Sequence, residues 1–351
     1  MINMMRREDG RIILTGKLAK ELYLEGYGEL LKDGLELDPV ELASLIQRGT
    51  IKAPLRDALE ALAGDPSLFV KYIVYSDLRN RGRVVVNERS TPFLRLYPEG
   101  ARIGETSSKI LVLPLQEDDI LRHGEIIKSL STAGKLRKEL LLAIVDDRLD
   151  VVYYEAKLFN PKRVRDEKIL PKAEGTLIHD RVIIWDEDIG GELYRRGFWG
   201  HPLGIRKPQI NEKFKAKLQL NLMESIYLMK KGFLTVKTPD GREIDENYLL
   251  DLAMRIKGDV RQRFSVFSYW RDLGYVVKPA QKYGANFMLY EKGPGLEHAP
   301  YLCIVSSYDD RIAPVDLIRV GRIATSVRKE LVISVLKGDK IVNYKISWMK
   351  I

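Results

Sequence analysis

Apolar and polar residues follow distinct periods in the second half of the chain, and these periods predict an ordered series of helices and strands. The segment RQRFSVFSYWRDLG (261–274) has the apolar spacing of a helix and ends in a glycine, as helices often do. The elements predicted after it are YVVKP (275–279), ANFMLY (285–290), PYLCIV (300–305), a helix near 316–328, and the strands ELVISVL and KIVNYKI, paired about a turn at 337–339. This order is typical of a mixed sheet packed against helices.

A different pattern precedes these elements. It consists of a short strand, RVIIW (181–185), a helix with Leu-Tyr before a glycine turn, and a helix in LNLMESIYLMKKG (220–232). The Pro-Asp-Gly of TVKTPDGREI (235–244) makes a turn, which we place between helices. This part is predicted to be mostly helical, so the fold class is α+β.

The whole pattern occurs twice. LRKELLLAIVDDRLDVVYYEAK (136–157) aligns without gaps on VRKELVISVLKGDKIVNYKISW (327–348), and YSDLRNRGRVV (75–85) aligns on FSYWRDLGYVV (267–277). We also match DILRHG (119–124) with DLIRVG (316–321), and residues 9–28 with residues 180–200. Similar segments in the same order indicate an internal duplication.

The duplication predicts two tandem copies, each with a mostly helical N-terminal subdomain and a mixed-sheet C-terminal subdomain. A segment with two prolines and many charges separates them, as a linker would. The predicted bounds are 1–66 and 67–158 in the first copy, 159–178 for the linker, and 179–260 and 261–351 in the second copy.

Composition narrows the function classes. Lys and Arg exceed Asp and Glu by nine among 351 residues, which favours a polyanionic partner such as nucleic acid. The single cysteine, Cys303, excludes an intramolecular disulfide, and no cluster has the spacing of zinc ligands. We expect no metal and no cofactor. The N-terminus lacks the apolar core of a signal peptide and no apolar run is long enough to span a membrane, so the expected location is cytoplasmic.

The two copies differ most at one histidine. His298 follows Tyr290 by eight residues, whereas its counterpart in the first copy falls within ETSSKI (105–110), which has no histidine. Lys329 matches Lys138, and Tyr97 is the candidate counterpart of Tyr290. Tyr, His and Lys therefore occur together only in the second copy.

The second copy resembles the catalytic unit of tRNA-splicing endonucleases, and the tandem arrangement is similar to the archaeal form that joins a degenerate unit to a catalytic one. The resemblance rests on GYVVKPAQKYGANFMLYEKGPGLEHAPYLCIV (274–305), followed by RIATSVRKELV (322–332). It implies that both mixed-sheet subdomains are nuclease-like, with 67–158 inactive and 261–351 catalytic. It also implies a precursor tRNA substrate, cut at its intron boundaries in a bulge–helix–bulge RNA.

RNA cleavage without a metal needs a base for the ribose 2′-hydroxyl, an acid for the leaving 5′-oxygen and a cation for charge on phosphorus. The resemblance implies that Tyr290 is the base, His298 the acid and Lys329 the cation, leaving 2′,3′-cyclic phosphate and 5′-hydroxyl ends. A tyrosine is a poor base at neutral pH unless positive charge lowers its pKa. We expect Lys329 and its basic surroundings to do so.

The resemblance also implies residues for recognition and assembly. The family holds a base of the bulge between two flat side chains, for which Arg322 and Trp348 are the candidates. The turn with Asp146, Asp147 and Asp150 is acidic, whereas the matched turn at 337–340 is mainly basic. In the family an acidic turn enters a positive pocket of the opposing half, so we expect a homodimer.

Three alternatives stay open. A metal-dependent, restriction-type nuclease needs clustered carboxylates, which the residues around Tyr290 do not supply. A noncatalytic RNA-binding or structural subunit of such an endonuclease has the same fold and charge without the three side chains. A different transesterifying ribonuclease shares the chemistry but not the substrate.

Overall fold

The computed structural model describes residues 3–6, 11–53, 55–101, 103, 105–166, 169–206, 208, 211 and 214–351. Residues 167–168 of the predicted linker lie outside this part. Up to residue 158 the elements are β1 (Asn3–Arg6), β2 (Ile12–Thr15), α1 (Lys17–Leu24), β3 (Glu29–Leu31), β4 (Gly34–Leu37), α2 (Pro39–Gln47), α3 (Leu55–Ala63), α4 (Pro66–Asn80), β5 (Val85–Asn87), β6 (Leu94–Leu96), β7 (Ile110–Gln116), β8 (Leu121–Arg122), α5 (His123–Lys135), β9 (Glu139–Val145) and β10 (Val151–Leu158).

The second half repeats this order with differences in the N-terminal subdomain. Its elements are β11 (Ala173–Ile178), β12 (Arg181–Ile184), α6 (Glu187–Gly197), β13 (His201–Pro202), β14 (Leu218–Asn221), α7 (Leu222–Lys230), β15 (Leu234–Lys237), β16 (Glu243–Ile244), α8 (Glu246–Ile256), α9 (Val260–Asp272), β17 (Val276–Pro279), a 3₁₀ turn (Gln281–Tyr283), β18 (Phe287–Tyr290), β19 (Tyr301–Ser307), β20 (Arg311–Ile312), α10 (Pro314–Ser326), β21 (Glu330–Lys337) and β22 (Lys340–Met349).

The chain divides into two compact units. Unit 1 comprises Met1–Leu158 together with Asp309–Arg322 and Tyr344–Ile351, and unit 2 comprises Phe159–Tyr308 and Ile323–Asn343. Each unit therefore contains most of one repeat, but the chain leaves and re-enters unit 1 near its C-terminal end.

Unit 1 has a four-stranded sheet in the order β1-β2-β4-β3 and a mixed sheet in which β5, β6, β7, β9 and β10 are successive neighbours. Strands β7 and β9 are parallel, and the last residues of β22 pair antiparallel with β10. The short strands β8 and β20 also pair in this unit. Its core lies where helices α2 and α4 cover the sheets, and it includes Leu14, Leu42, Tyr75, Leu94 and Ala143.

Unit 2 has a six-stranded sheet in the order β13-β14-β12-β11-β15-β16 and a mixed sheet with the neighbours β17, β18, β19 and β21. Strands β19 and β21 are parallel, from Tyr301 opposite Glu330 to Ser307 opposite Leu336. Helix α9 is buried against this sheet, because Phe267 and Trp270 are almost fully covered and the Trp270 indole donates to Ser334 Oγ (3.1 Å).

Corresponding helices begin in the same way in the two repeats. Asp38 accepts from the backbone of Glu41 at the start of α2, and Asn221 accepts from the backbone of Glu224 at the start of α7. Each glutamate reaches back to its cap residue and completes a capping box, which satisfies backbone N–H groups that have no partner within the helix.

The α+β class and the duplication are confirmed, and the helices and strands predicted for 261–351 are present. The N-terminal subdomains, however, contain more sheet than the prediction of a mostly helical part conveys. The Pro-Asp-Gly turn lies between strands β15 and β16 rather than between helices. Strands of two to four residues hold only one or two alternations of apolar and polar side chains, too few for a clear period.

One match between the copies is wrong. Helices α5 and α10 are 13 residues each and begin at His123 and Pro314, 191 residues apart. Segment 316–321 therefore corresponds to 125–130, and not to 119–124. A six-residue similarity that contains a few apolar residues fits more than one register, and only the helix ends decide between them.

Candidate active site

Three neighbouring strands of unit 2 bring Tyr290, His298 and Lys329 to one edge of the mixed sheet. In β18 and β19, Leu289 is opposite Tyr301, and in β19 and β21, Tyr301 is opposite Glu330. Tyr290 follows Leu289, His298 precedes Tyr301 by three residues, and Lys329 immediately precedes Glu330. Since neighbouring strands lie about 4.8 Å apart, the backbones of Tyr290 and Lys329 are on the order of 10 Å apart.

Tyr290 is half-buried at the end of β18, where its hydroxyl lies 3.9 Å from Met288 Sδ. Burial raises the pKa of Tyr290, and Tyr283 and Glu297 raise it further. The expectation that Lys329 and basic surroundings lower this pKa is therefore wrong for the protein without RNA, because removal from water disfavours the phenolate.

His298 is exposed in the segment that joins β18 to β19. Glu297 Oε1 accepts from the Lys292 backbone (2.6 Å), which closes the preceding loop on itself. Gly293 has φ 120°, and a Cβ there would lie 2.3 Å from the Phe198 ring, so only glycine fits. A fixed loop therefore leads into His298, and the next residue, Ala299, is buried.

Lys329 follows α10 through Arg328, which has a left-handed backbone (φ 55°). Its Nζ donates to the carbonyl oxygen of Ala299 (2.6 Å), next to His298. In the first repeat Arg137 also has φ 55°, and Lys138 Nζ donates to Ser108 Oγ (2.6 Å) as well as to the Ser108 carbonyl. Both lysines therefore fasten the segment that leads into the parallel strand pair.

The first repeat has no histidine at the matching place. Strands β7 and β9 pair Ile110 with Glu139, each 191 residues before the corresponding pair in unit 2. The position that matches His298 is consequently Ser107, which is exposed. Tyr97 follows Leu96 of β6 as Tyr290 follows Leu289 of β18, but Tyr97 is buried.

Arg322 and Trp348 belong to unit 1, where Tyr154 links them. Trp348 is directly opposite Tyr154 in β22 and β10, so their side chains share one face of the sheet. Tyr154 is buried, which raises its pKa, and a hydrogen bond from Arg322 opposes the rise. Arg322 is exposed and the Trp348 side chain is 55 % exposed, so both flat side chains reach solvent.

The three aspartates of the acidic turn have different positions. Asp146 Oδ1 accepts from the backbones of Arg148 (2.9 Å) and Asp150 (2.8 Å), which holds the turn between β9 and β10. Asp147 and Asp150 are exposed, and so is Leu149, which has φ 66°. Asp146 therefore shapes the turn, while Asp147 and Asp150 present their charge to solvent.

A buried arginine in unit 2 was not among the residues selected from the sequence. Arg271 is 8 % exposed, its guanidinium lies 3.4 Å from the centre of the Trp199 ring, and its Nη1 donates to the carbonyls of Gly197 and Tyr275. Within the described part of the chain, its Nε and Nη2 have no hydrogen-bond partner. Burial lowers its pKa to about 10. The match between FSYWRDLGYVV and YSDLRNRGRVV could have pointed to it, because it aligns Arg271 with Arg79.

Arg271 lines a cavity of about 80 Å³, together with Arg165, Arg196 and Lys231. Such a volume holds several water molecules or a small anionic group. An arginine that is buried and only partly hydrogen-bonded favours an anionic ligand, since unpaired buried donors are costly.

The described residues include neither a candidate metal cluster nor a candidate membrane-spanning helix. Among the residues that the structure describes, His, Cys, Asp and Glu form no group of three or more that could hold a metal ion. No helix in the same part of the chain is both long enough and apolar enough to cross a membrane.

Comparison with known proteins agrees with the duplicated architecture. The family model of the tRNA intron endonuclease N-terminal domain matches residues 6–60 and 173–250, and that of the catalytic C-terminal domain matches 68–153 and 260–344. A tRNA-splicing endonuclease of Methanosarcina mazei is 34% identical over 346 residues, which is 95% of each chain, and one of Methanosarcina barkeri is 32% identical over 355 residues, 97% of each. One of Hyperthermus butylicus is 38% identical over 154 residues, which is 44% of this chain and 84% of that protein.

A fold with two copies of both domains, and similarity over nearly the whole length of these relatives, define an RNA-cutting enzyme in which the catalytic-domain fold occurs once in each repeat. The chain belongs to the tRNA intron endonuclease family, and it is an endoribonuclease.

Proposed function

We propose that the chain cuts precursor tRNA at the two ends of an intron, within a bulge–helix–bulge RNA, by attack of the ribose 2′-hydroxyl and without a metal ion. The observation that carries the proposal is the sheet edge where Tyr290 ends β18, His298 precedes β19 by three residues and Lys329 immediately precedes β21. The names of the relatives support the substrate, and the net charge of +9 suits an RNA partner.

The chemistry divides among the three side chains. Tyr290 takes the proton of the 2′-hydroxyl, whose oxygen attacks phosphorus and closes a 2′,3′-cyclic phosphate. The bond from phosphorus to the 5′-oxygen breaks, and His298 supplies the proton that this oxygen needs to leave as a hydroxyl. Lys329 stabilises the extra negative charge on the phosphoryl oxygens while these bonds change.

The raised pKa of Tyr290 disfavours its phenolate, which is the form that can act as the base. Because burial raises the pKa of Tyr290 above the ordinary value of a tyrosine, the phenolate is the minor form at neutral pH. Cleavage is therefore expected to depend on the small phenolate fraction.

The test is cleavage of a bulge–helix–bulge RNA by the purified protein in excess chelator. We expect two cuts and cyclic phosphate ends. The matched control is the same RNA with a 2′-deoxy sugar before each cut, which should resist cleavage because the nucleophile is missing. Cutting of the deoxy RNA at the normal rate would mean that water attacks, and the roles of Tyr290, His298 and Lys329 would be wrong.

Recognition of the bulge is proposed to use Arg322 and Trp348. Their common face around Tyr154 supports the stacking of one base against a guanidinium and an indole. Arg322→Ala and Trp348→Ala should each slow cleavage while leaving the fold intact. Arg322→Lys keeps the charge but loses the planar group, so cleavage by this variant at the parental rate would contradict stacking.

We also propose that two copies assemble as a symmetric dimer, with the acidic turn of one copy entering the cavity beside Arg271 of its partner. Arg271, whose Nε and Nη2 have no partner among the described residues, and the exposed carboxylates of Asp147 and Asp150 are complementary in charge. Leu149, at the tip of the turn, adds an apolar contact. A two-fold dimer presents two equivalent sites, which suits a substrate with two similar cuts.

The dimer is tested by sedimentation of Asp147→Ser/Asp150→Ser, which leaves the turn-forming Asp146 in place. We expect dissociation at concentrations where the parent is dimeric. The matched control is Lys337→Ser/Asp339→Ser in the corresponding turn of the second repeat, which should sediment as the parent does. Addition of Asp146→Ser gives a triple variant that should dissociate at least as readily. If all of these variants sediment as the parent, docking by the acidic turn is excluded.

A further inference from the structure

Unit 2 contains a cleft of about 720 Å³ that begins at Tyr290 and extends towards the N-terminal subdomain of the second repeat. Its walls come from β13 and β14 on one side and from β17 and β18 on the other. The volume lies within the range of about 300–1,000 Å³ that is usual for ligand sites. The catalytic roles proposed above use only Tyr290 at its end.

The cleft is lined by both cationic and flat groups. Arg206, Lys282 and His201 are exposed at its walls, while Tyr194 and Met288 supply less polar surface. Burial raises the pKa of Tyr194, and the neighbouring Tyr290 and Glu224 raise it further.

A further cation, Lys278, forms part of the structure of the cleft. Its Nζ donates to the carbonyl of Gly200 (2.7 Å) and lies 3.3 Å from Glu224 Oε1. Burial lowers its pKa, and Glu224 opposes that effect. Lys278 therefore offsets the capping glutamate, and Arg181, which also lines the cleft, is paired with Asp180 (2.6 Å). Arg206 and Lys282 then set the charge that a ligand meets.

The first repeat provides an internal comparison, because strand register shows which residues correspond. Glu29 pairs with Glu36 in β3 and β4, as His201 pairs with Gln219 in β13 and β14. Gly28 donates to Glu41 as Gly200 donates to Glu224, which fixes the alignment. The positions of Glu29 and Glu36 in the first repeat are thus occupied by His201 and Gln219 in the second.

Arg89 occupies this region of the first repeat. Its guanidinium contacts Glu36 and lies 3.4 Å from Glu29, 3.7 Å from Asp38 and 3.7 Å from Glu41. Four acidic groups hold this one arginine in place. In the repeat without His298 the arginine of this region is therefore paired with carboxylates, whereas the cleft of the repeat with His298 has exposed cations at its walls.

We propose that the cleft of unit 2 is a subsite for a nucleotide of the RNA strand next to the cut, with Arg206 and Lys282 binding its phosphate. This inference rests on the proposed function, since Tyr290 places the reacting ribose at the mouth of the cleft. The phosphate of a neighbouring nucleotide is the anion that a strand held at Tyr290 brings to these cations. The ribose or base packs against Tyr194 and Met288.

The first experiment measures binding of a bulge–helix–bulge RNA that carries 2′-deoxy sugars at both cuts, so that binding is separate from cleavage. Arg206→Ala/Lys282→Ala should weaken binding about tenfold and lower the slope of log affinity against log salt by about one to two. The matched control is Lys172→Ala/Arg242→Ala, which removes the same charges from exposed positions of unit 2 outside the cleft. It should change the affinity by less than about twofold, as surface charges away from a binding site do.

The second variant introduces the chemistry of the first repeat. His201→Glu/Gln219→Glu places carboxylates where Glu29 and Glu36 stand, and it should weaken binding more than the alanine pair does, because like charges repel the phosphate. His201→Gln/Gln219→Ala changes the same positions without adding charge and should bind nearly as the parent does. Circular dichroism of each variant checks the fold.

Phosphate ethylation of the RNA then locates the contact. In the parent, ethylation of one or two phosphates near the cut should interfere with binding, and the Arg206→Ala/Lys282→Ala variant should be insensitive to the same modifications. Unchanged affinity and salt slope in both cleft variants would overturn the subsite. Loss of dimer without loss of RNA affinity would also overturn it, by identifying a protein segment as the ligand.

A failure of the proposed function gives a result that differs from a failure of the subsite. If the unaltered protein binds the RNA but does not cut it, the catalytic roles are wrong. The subsite is still supported in that case when the cleft variants bind more weakly than their matched controls.

Discussion

Arg79 and Arg271 occupy corresponding places in the two repeats, yet only one of them has its hydrogen bonds complete. Arg79 donates to the carbonyls of Glu25, Gly26 and Val85 and to the Tyr75 hydroxyl, and its guanidinium stacks on Tyr27. Arg271 stacks on Trp199 in a similar way but keeps Nε and Nη2 without partners in the described part of the chain. The first repeat thus uses its arginine for folding, and the second leaves donors for a ligand.

The same difference recurs at the cleft and at the sheet edge. Arg89 is held by four acidic groups in the first repeat, whereas Arg206 and Lys282 are exposed at the cleft beside Tyr290 in the second. Ser107 occupies the position in the first repeat that matches His298 in the second. Because the C-terminal subdomains of the two repeats share their strand order, differences between matched polar residues mark candidate functional positions.

The largest expected effect comes from His298. His298→Ala should cut bulged RNA about 10²- to 10⁴-fold more slowly, the usual contribution of a general acid, while its dimerisation and RNA binding stay unchanged. Single-turnover cleavage measures the rate. Ser107→Ala is the matched control in the first repeat and should cut normally.

The pH dependence of His298→Ala sharpens this prediction. With the acid removed, the rate depends on the Tyr290 phenolate, whose pKa lies above the ordinary value. The logarithm of the rate should rise by about one for each pH unit between pH 6 and 9. A flat profile would remove Tyr290 from the role of base, and parental activity of the variant would require another acid.

Substitution of Lys329 and of Lys138 by alanine should have different effects, although the contacts of the two lysines are alike. Lys329→Ala should slow cleavage about 10²- to 10³-fold, because charge on the phosphoryl oxygens loses its cation. Lys138→Ala removes the corresponding anchor at Ser108 and should cost about 1 kcal/mol of stability without changing cleavage. Thermal unfolding and cleavage rates of both variants separate the effects. Equal losses of activity would show that the lysines serve only the fold.

A smaller effect concerns stability in acid. His123 is buried in unit 1, with Nδ1 2.6 Å from the Tyr344 hydroxyl, and burial lowers its pKa to about 4 from 6.5. The unfolded chain therefore binds a proton more readily than the folded chain does. The stabilisation is complete above pH 6.5 and is lost as pH falls towards 4, by about 3 kcal/mol in total.

Urea unfolding of the parent and of His123→Asn at pH 7 and pH 4.5 tests this prediction. The parent should lose more stability than the variant over this interval. The matched position in the second repeat is Pro314, which cannot titrate, so the effect belongs to unit 1. Equal pH dependence of parent and variant would contradict it.

The sequence predicted the features that depend on local patterns. The strands and helices of 261–351 have long, clear periods, and the gapless match of 136–157 with 327–348 gave the register in which Ser107 replaces His298. The comparison of the two copies singled out His298. In a single copy it would have been only a histidine in a loop.

Features that depend on contacts between distant residues were not predicted. The ion pairs of Arg89 join residues up to 60 positions apart, and the unpartnered nitrogens of Arg271 follow from burial that no local pattern indicates. The sign of the Tyr290 pKa shift was also missed, because it is set by burial and by Tyr283 and Glu297 rather than by the overall basic composition.

The division of the chain has a consequence for biosynthesis. Unit 1 includes Asp309–Arg322 and Tyr344–Ile351, which the ribosome makes only after it has made all of Phe159–Tyr308. Residues 344–349 form the strand beside β10, and Tyr344 is the partner of His123. The first repeat therefore waits for residues that follow most of the second repeat, and unit 2 acquires most of its sequence while the edge of β10 still lacks its neighbour.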